Sequence, residues 1–366
     1  MSLSVGIVGL PNVGKSTLFT ALTKNEVLIA NYPFATIDPT VGVVTVPDSR
    51  LATLSEISGS EEVIPAIVEF VDIAGLVKGA SAGEGLGNKF LSNIRETDMV
   101  AEVVRIFEDS DVHHVSGGVD PMGDIEVINL ELIMADGETV SKRIQGLERE
   151  VKRGDKNAVA EKTLLEKLLI HLEAGQLAHS LEMSDEERKL IKGLHLLTMK
   201  QFLYVCNKKQ DAFNLDEQND DRWTELLEFF EKTGSQYVIV DAGMELDLKD
   251  MNDEEKNEFR REYGAQGNGV EGLIRAAYNR LGLMSYFTTG EKETRAWTVP
   301  IGSTGPEAGA AIHTDFKDKY IRAQVVTFDD LVSSGSKAAA RDQGKLRTEG
   351  KEYIVQDGDV IEFLHS

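Results

Sequence analysis

The stretch that decides the fold is Gly9-Leu10-Pro11-Asn12-Val13-Gly14-Lys15-Ser16, between the apolar run Leu3–Val8 and a helical pattern that begins near Lys15. It fits the phosphate-loop pattern GxxxxGK[ST], in which glycines let the backbone approach a ligand that a Cβ would exclude. Successive N–H groups and the helix N-terminus then face a β-phosphate. We therefore predict a nucleoside triphosphate site whose phosphate-binding residues are Asn12, Val13, Gly14, Lys15, Ser16 and Thr17.

Metal and γ-phosphate contacts are predicted at three further places. Lys15 reaches the β- and γ-phosphate oxygens, and the Ser16 hydroxyl is placed to bind Mg²⁺. Asp72 follows an apolar strand, which suits a carboxylate that holds Mg²⁺ through water, and the Gly75 N–H is placed to donate to the γ-phosphate. Thr36 completes the predicted Mg²⁺ ligands, Ser16, Thr36 and Asp72. For Asp72 and Thr36, the alternative is an ordinary polar loop residue.

Strand-length apolar runs alternate with helical patterns, which predicts an α/β fold with a mostly parallel sheet. These runs are Leu3–Val8, Val41–Val46, Ala66–Val71, Met99–Phe107, Phe202–Cys206 and Tyr237–Val240. The sequence thus predicts a P-loop nucleotide-binding domain of α/β class.

An inserted helical (coiled-coil) hairpin is predicted by two apolar stripes separated by the polar turn 153–156. The first stripe is Ile133, Val140, Ile144, Leu147 and Val151, and the second is Leu164, Leu165, Leu168, Leu169 and Leu172. Ser184-Asp185-Glu186-Glu187 has the pattern of a capping box that starts another helix. Val270–Leu281 is a further predicted helix.

The last 80 or so residues predict a small mixed β-sheet domain with little helix. Its predicted strands are Ala296–Pro300, Arg322–Val326, Glu352–Val355 and Val360–Leu364. We place the domain boundaries at 1–125 and 199–282 for the G domain, 126–198 for the hairpin and 283–366 for the C-terminal domain.

Composition excludes several classes of protein. The 366 residues are 41% hydrophobic and 28% charged, as in globular proteins, with 39 Lys and Arg against 62 Asp and Glu, a net charge of −23. This charge argues against a protein that coats nucleic acid. Cys206, the single cysteine, excludes an intramolecular disulfide. We expect a cytoplasmic monomer, without a secretion signal, membrane span or DNA partner.

Longer motifs resemble the YchF/Obg-like ATPase family of P-loop proteins related to translation factors. They are residues 6–18, 31–37, 72–80, 83–88, 124–129, 295–298, 312–316 and 355–360, so the resemblance spans the chain. It implies a G domain, a helical hairpin and a C-terminal TGS domain of β-grasp fold. It also implies ATP hydrolysis, Mg²⁺ and a ribosomal partner.

The base-reading segment departs from familiar patterns. In G domains an Asn-Lys-x-Asp segment reads guanine through its carboxylate, and here Asn207-Lys208-Lys209-Gln210 occupies that place. Gln210 offers one acceptor oxygen in an amide, which weakens selection of guanine, whereas Lys208 is what a GTPase would carry. The resemblance implies that Asn207 and Lys208 contact the base and favours ATP, and a GTPase remains the alternative. Asp241-Ala242-Gly243 occupies the second base-side loop, or is simply a turn.

Ras-like enzymes orient the attacking water with a glutamine that follows the Asp-x-x-Gly motif. Here Leu76 occupies that position. The resemblance implicates a histidine on a mobile loop, which matches His114; an ordinary surface histidine is the other interpretation. Asn12 occupies a position that binds a monovalent cation in related G proteins, which makes K⁺ a candidate activator. Leu76 also favours a nucleotide-gated adaptor that binds RNA or the ribosome with incidental turnover.

Two basic clusters stand out in the acidic chain. Lys337, Arg341, Lys345, Arg347 and Lys351 form the first, and Lys317, Lys319 and Arg322 form the second. Both suit ribosomal RNA phosphates, or are solvated charged faces.

Overall fold

The computed structural model describes residues 3–23, 40–73, 86–109, 118–218, 220–249, 251, 253–262 and 269–365. Within these residues the chain forms two compact units. Unit 1 comprises residues 3–42 and 69–273, and unit 2 comprises residues 43–68 and 274–366. None of the described helices has the length and apolar character that crossing a bilayer requires.

The strands are listed here in chain order. They are β1 (Ser4–Val8), β2 (Val41–Thr45), β3 (Glu62–Ile64), β4 (Ile67–Asp72), β5 (Met99–Arg105), β6 (Phe107–Glu108), β7 (Gln201–Asn207), β8 (Phe213–Asn214), β9 (Gln236–Val240), β10 (Leu283–Thr289), β11 (Glu293–Pro300), β12 (Tyr320–Thr327), β13 (Arg347–Glu349) and β14 (Asp359–His365).

The α-helices follow the same numbering. They are α1 (Lys15–Thr23), α2 (Arg50–Ser58), α3 (Leu86–Glu96), α4 (Pro121–Lys152), α5 (Lys156–Glu173), α6 (Asp185–Ile191), α7 (Asp221–Thr233), α8 (Ala242–Leu248), α9 (Asp253–Glu262), α10 (Gly269–Arg280), α11 (Gly305–Ile312), α12 (Asp315–Lys319), α13 (Phe328–Ser334) and α14 (Lys337–Asp342). Short 3-10 turns occupy Ala178–Ser180, Lys192–Leu194, Leu197–Met199 and Leu215–Glu217.

The predicted α/β sheet is confirmed. Its six strands have the order β2-β4-β1-β5-β7-β9. The pairs β1–β4, β1–β5, β5–β7 and β7–β9 are all parallel. The carboxyl ends of these strands therefore meet at one edge, where α/β proteins bind their ligands. The phosphate loop and Asp241 directly follow strands at this edge, and Asp72 and Asn207 are the last residues of their strands.

The two predicted helices of the insertion are α4 and α5, which a short turn at 153–155 joins. Both predicted stripes pack into one apolar cluster, in which Val140, Leu165 and Leu168 are fully buried. Arg143 reinforces the pair by donating from Nε to Glu161 Oε1 at 2.6 Å. The capping box at Ser184 and Glu187 is also present and starts α6.

Buried Asp136 attaches α4 to the segment before β7. Its carboxylate accepts hydrogen bonds from the N–H groups of Leu197 and Thr198, both at 2.8 Å, and from the Thr198 hydroxyl at 2.7 Å. Three donors on one buried carboxylate fix the position of the helix because each would otherwise be left unpaired.

Unit 2 contains a mixed six-stranded sheet of order β13-β12-β14-β10-β11-β3. The prediction of little helix here was wrong, since α11, α12, α13 and α14 lie in it. Helices of five to eight residues carry too few turns for an apolar period to be visible. Glu352–Val355 was also wrong as a strand: it contains only an isolated bridge from Ile354 to Thr304, while β13 forms at Arg347–Glu349.

Residues 43–68 belong to unit 2, whereas the predicted boundaries place them in the first part of the G domain. Strand β3 pairs with β11, with Glu62 opposite Glu293. In α2, Arg50 Nη1 lies 2.7 Å from Asp357 Oδ2 and its guanidinium covers the Phe287 ring. The predicted domain boundaries stay predictions.

Candidate nucleotide site

The phosphate loop owes its shape to positions where a side chain would not fit. A Cβ on Gly9 would come within 2.6 Å of the Val103 carbonyl oxygen, and one on Gly14 within 2.2 Å of Asn207 Nδ2. Gly14 also has a φ of +99°, and Asn12 has a φ of 64°, which asparagine tolerates better than most residues. The loop then enters α1 at Lys15.

The Lys15 side chain lies inside this loop. It is 8% exposed, and Nζ donates to the Leu10 carbonyl oxygen at 2.7 Å. Burial lowers the pKa of Lys15 to about 8, and the nearby Asp72 carboxylate acts in the opposite direction. A buried ammonium with so little counter-charge is stabilised by an anion that enters the loop.

Asp72 and Ser16 carry two of the oxygen groups that the sequence predicts as Mg²⁺ ligands. Asp72 ends β4 opposite Ile7 of β1, and burial raises its pKa while the Lys15 charge acts to lower it. Ser16 is exposed in the first turn of α1. Carboxylate and hydroxyl oxygens are suitable ligands for Mg²⁺.

Asn207 connects the phosphate loop to the base side of the site. Its Nδ2 donates to the Val13 carbonyl oxygen at 2.9 Å, and its Oδ1 accepts from the Ala242 N–H at 3.1 Å. The side chain is 5% exposed, and the backbone of Lys208 is fixed by donation to the Val240 carbonyl at 2.9 Å. Three loops that are distant in sequence are therefore held together by one amide.

Two residues that the sequence analysis did not identify brace the base-side loop. Glu217 Oε1 lies 2.8 Å from Lys208 Nζ, and Glu217 Oε2 accepts from Asn214 Nδ2 at 3.2 Å. Buried Asn214 also accepts from the Lys209 N–H and donates to the Lys209 carbonyl, both at 3.0 Å. The sequence signal that could have identified Asn214 and Glu217 is the acceptor-rich segment Asn214-Leu215-Asp216-Glu217, which follows the Asn207-Lys208 pair at the end of a strand.

Gln210 and Asp241 lie on neighbouring loops. Asp241 is 7% exposed and caps α8 by accepting from the Met244 N–H at 2.9 Å. Burial raises its pKa, against the effect of the Met244 and Gln210 N–H groups and the Lys208 charge. The structure therefore places a buried carboxyl group beside residue 210.

Three predicted site residues, Thr36, Gly75 and His114, lie outside the described residues, as does Leu76. The others are described, and the structure brings Lys15 close to Asp72, and Val13 and Gly14 to Asn207. No contact between Ser16 and Asp72 is observed among the described atoms.

The first basic cluster is largely neutralised. Lys337 pairs with Glu362, Lys345 lies 3.4 Å from Asp330, and Arg347 lies 3.5 Å from Glu349 and 3.7 Å from Asp359. Arg341 and Lys351 are exposed and form no ion pair with any residue that the structure describes. In the second cluster, Lys319 lies 2.8 Å from Asp315. Fewer cations are therefore available to a polyanion than the sequence count suggests.

A glycine-shaped loop between a parallel strand and a helix, with a buried lysine facing a strand-end aspartate, defines a P-loop nucleotide-binding G domain. Residues 4–136 match the family described as 50S ribosome-binding GTPase, and residues 283–366 match the YchF-GTPase_C family, described as a protein of unknown function (DUF933).

Relatives match along the whole chain. The Ribosome-binding ATPase YchF of Bacillus subtilis is 50% identical over 363 residues, which is 99% of each chain. The protein of that name from Escherichia coli O157:H7 is 49% identical over 364 residues, covering 100% of this chain and 99% of the relative. A solved structure titled the Schizosaccharomyces pombe YchF GTPase has a TM-score of 0.88 and 36% identity, covering 99% of this chain and 98% of that one. The chain belongs to the YchF family.

Proposed function

We propose that this protein is a Mg²⁺-dependent triphosphatase that hydrolyses ATP to ADP and phosphate and acts on the ribosome as a nucleotide-switched factor. The observation that carries the proposal is the phosphate loop with Lys15 buried inside it. The names of the relatives from B. subtilis and E. coli support ATP and the ribosome.

The chemistry required of the protein is mainly positioning and charge stabilisation. Backbone N–H groups of residues 12–17 surround the β-phosphate, and Lys15 stabilises the charge on the β- and γ-phosphate oxygens. Gly75 donates its N–H to the γ-phosphate, and His114 orients or deprotonates the attacking water. The roles of Gly75 and His114 rest on the motifs and the resemblance alone.

Mg²⁺ fits the oxygen ligands of Ser16, Thr36 and Asp72. When bound, it neutralises charge that develops on the phosphate oxygens. Asp72 keeps its position through β4, whose last residue it is, while Ser16 sits at the first turn of α1. We retain K⁺, with Asn12 as its ligand, as a second candidate ion.

GTP is the alternative substrate, and the observation that favours it is the Asn207-Lys208 pair. Asn207 is held between the phosphate loop and α8, and Glu217 binds the Lys208 ammonium, so that the aliphatic stem of Lys208 is available to pack on a base. Competition between ATP and GTP for the purified protein separates the two. Gln210→Asp should shift the preference towards GTP, since a carboxylate accepts from both guanine N–H donors.

Nucleotide titration of the wild type and Lys15→Ala tests the site. We expect tight binding of Mg-ATP that the substitution removes, because the remaining N–H groups carry only partial charges. Normal ATP binding by Lys15→Ala would show that the site is assigned wrongly.

A ribosome-stimulated ATPase assay tests the remaining part of the proposal. We expect hydrolysis to increase when ribosomes are added and the increase to be lost in His114→Ala. If ribosomes bind without stimulation and His114→Ala has no effect, the protein is a nucleotide-gated adaptor.

A further inference from the structure

Asp241 carries a buried carboxylate oxygen that pairs with no residue in the described part of the chain. Asp241 is 7% exposed, and its carboxylate oxygen Oδ1 accepts a hydrogen bond from the Met244 N–H. The other oxygen, Oδ2, is buried and has no hydrogen-bond partner among the described residues. A buried acceptor left unpaired costs about 1–3 kcal/mol, so an unpaired one often marks a binding or catalytic role.

The position of this oxygen is fixed by the site itself. The next residue, Ala242, donates its N–H to Asn207 Oδ1, and Asn207 donates in turn to the Val13 carbonyl of the phosphate loop. Asp241 also directly follows Val240, which pairs with Asn207 in the sheet. The carboxylate therefore lies on the base side, two hydrogen bonds from the loop that holds the phosphates.

Gln210, on the neighbouring loop, has no carboxylate, whereas Asp241 has one. A guanine-specific G domain has a carboxylate at the position of Gln210, whose amide has only one acceptor oxygen. The Gln210 N–H and the Lys208 ammonium both act on the Asp241 carboxylate. Of these two neighbouring loops, the one that follows β9 therefore carries the carboxylate.

We propose that Asp241 Oδ2 accepts a hydrogen bond from the exocyclic amino group of the bound purine and thereby selects purines that carry this group. The inference rests on the proposed nucleotide site and names the residue that reads the base within it. Both natural purines have such a group, the 6-amino group of adenine and the 2-amino group of guanine. Oδ1 remains at the cap of α8.

The test uses nucleotide pairs that differ by one amino group. ATP is compared with purine riboside triphosphate, and GTP with inosine triphosphate, by calorimetric titration of the full-length protein with Mg²⁺. In the wild type we expect loss of the amino group to weaken binding about ten- to hundredfold in the pair that the site reads. The sensitive pair identifies which purine Asp241 recognises.

Asp241→Asn should remove most of that ratio. Its amide oxygen takes over the helix cap, so that an NH₂ group, which can only donate, occupies the place of Oδ2. Asp241→Ser, which also caps a helix, gives a second measurement if the first variant does not fold. Asp155→Asn, at the cap of α5, is the matched control and should leave the ratio unchanged.

Each outcome is decisive. An amino-dependent ratio that falls in each Asp241 variant that folds supports the inference. A wild-type protein that binds all four nucleotides without regard to the amino group, or variants that keep the wild-type ratio in both pairs, overturns it while the proposed nucleotide site stands. A wild-type protein that binds none of them overturns both.

Discussion

Raising the pH should weaken nucleotide binding because Lys15 loses its proton. The pKa of this group is lowered to about 8 because it is buried, whereas the triphosphate stabilises its charged form. Binding above that pH must therefore take up a proton, and the free energy of binding becomes less favourable as the pH rises.

The size of the effect follows from the pKa. With a value of about 8, about 76% of Lys15 is charged at pH 7.5 and about 3% at pH 9.5. The association constant for Mg-ATP should fall about 25-fold between these pH values, with about one proton taken up per nucleotide at pH 9.5. The phosphates of ATP are fully ionised across this range and contribute little to the slope.

Isothermal titration in two buffers of different ionisation enthalpy measures both quantities. Lys15→Arg is the control, because arginine stays charged at all these pH values; whatever affinity it retains should vary little with pH. An affinity that changes less than about threefold between these pH values, with no proton uptake, would refute the argument that a buried lysine of lowered pKa binds the phosphates.

Three further predictions concern two buried carboxyl groups and a glycine of the phosphate loop, all in unit 1. Glu102 is fully buried with both oxygens unpaired among the described residues, and burial raises its pKa, so its ionisation opposes folding. Relative to Glu102→Gln, the wild type should therefore lose unfolding free energy, measured by urea titration, as the pH rises above the ordinary glutamate pKa. Asp136→Ala leaves three buried donors unpaired and should cost about 3 kcal/mol or more by the same method. Gly14→Ala drives a methyl group against Asn207 and should abolish nucleotide binding in a titration, whereas Gly146→Ala, in an open helix position, should stabilise the protein by about 0.5–1 kcal/mol.

Local patterns explain why much of the fold was predictable. The stripes of α4 and α5 repeat over many turns, and the capping box before α6 is complete within four residues. The phosphate loop is contiguous in sequence, so its glycines and Lys15 predict the site directly. In each case the decisive interactions are close in sequence.

Long-range packing explains what was missed. Helix α2 and strand β3 join the C-terminal sheet through partners more than 200 residues away, such as Asp357 and Glu293. The Asp241 oxygen that has no partner among the described residues likewise depends on tertiary burial, whereas the sequence predicts only a second base-side loop or a simple turn at this position. The short helices α11–α14 are stabilised by the sheet that they cover more than by an apolar period of their own.

The placement of residues 43–68 in unit 2 has a practical consequence for dissecting this protein. A chain terminated at residue 273 would keep α2 but lose the surface that shields Leu54, which is fully buried, and Leu51, which is 5% exposed. Such a fragment would expose these apolar side chains to solvent and would tend to aggregate. Exchange of C-terminal portions between homologues would accordingly require two grafts, one at each stretch, instead of a single crossover.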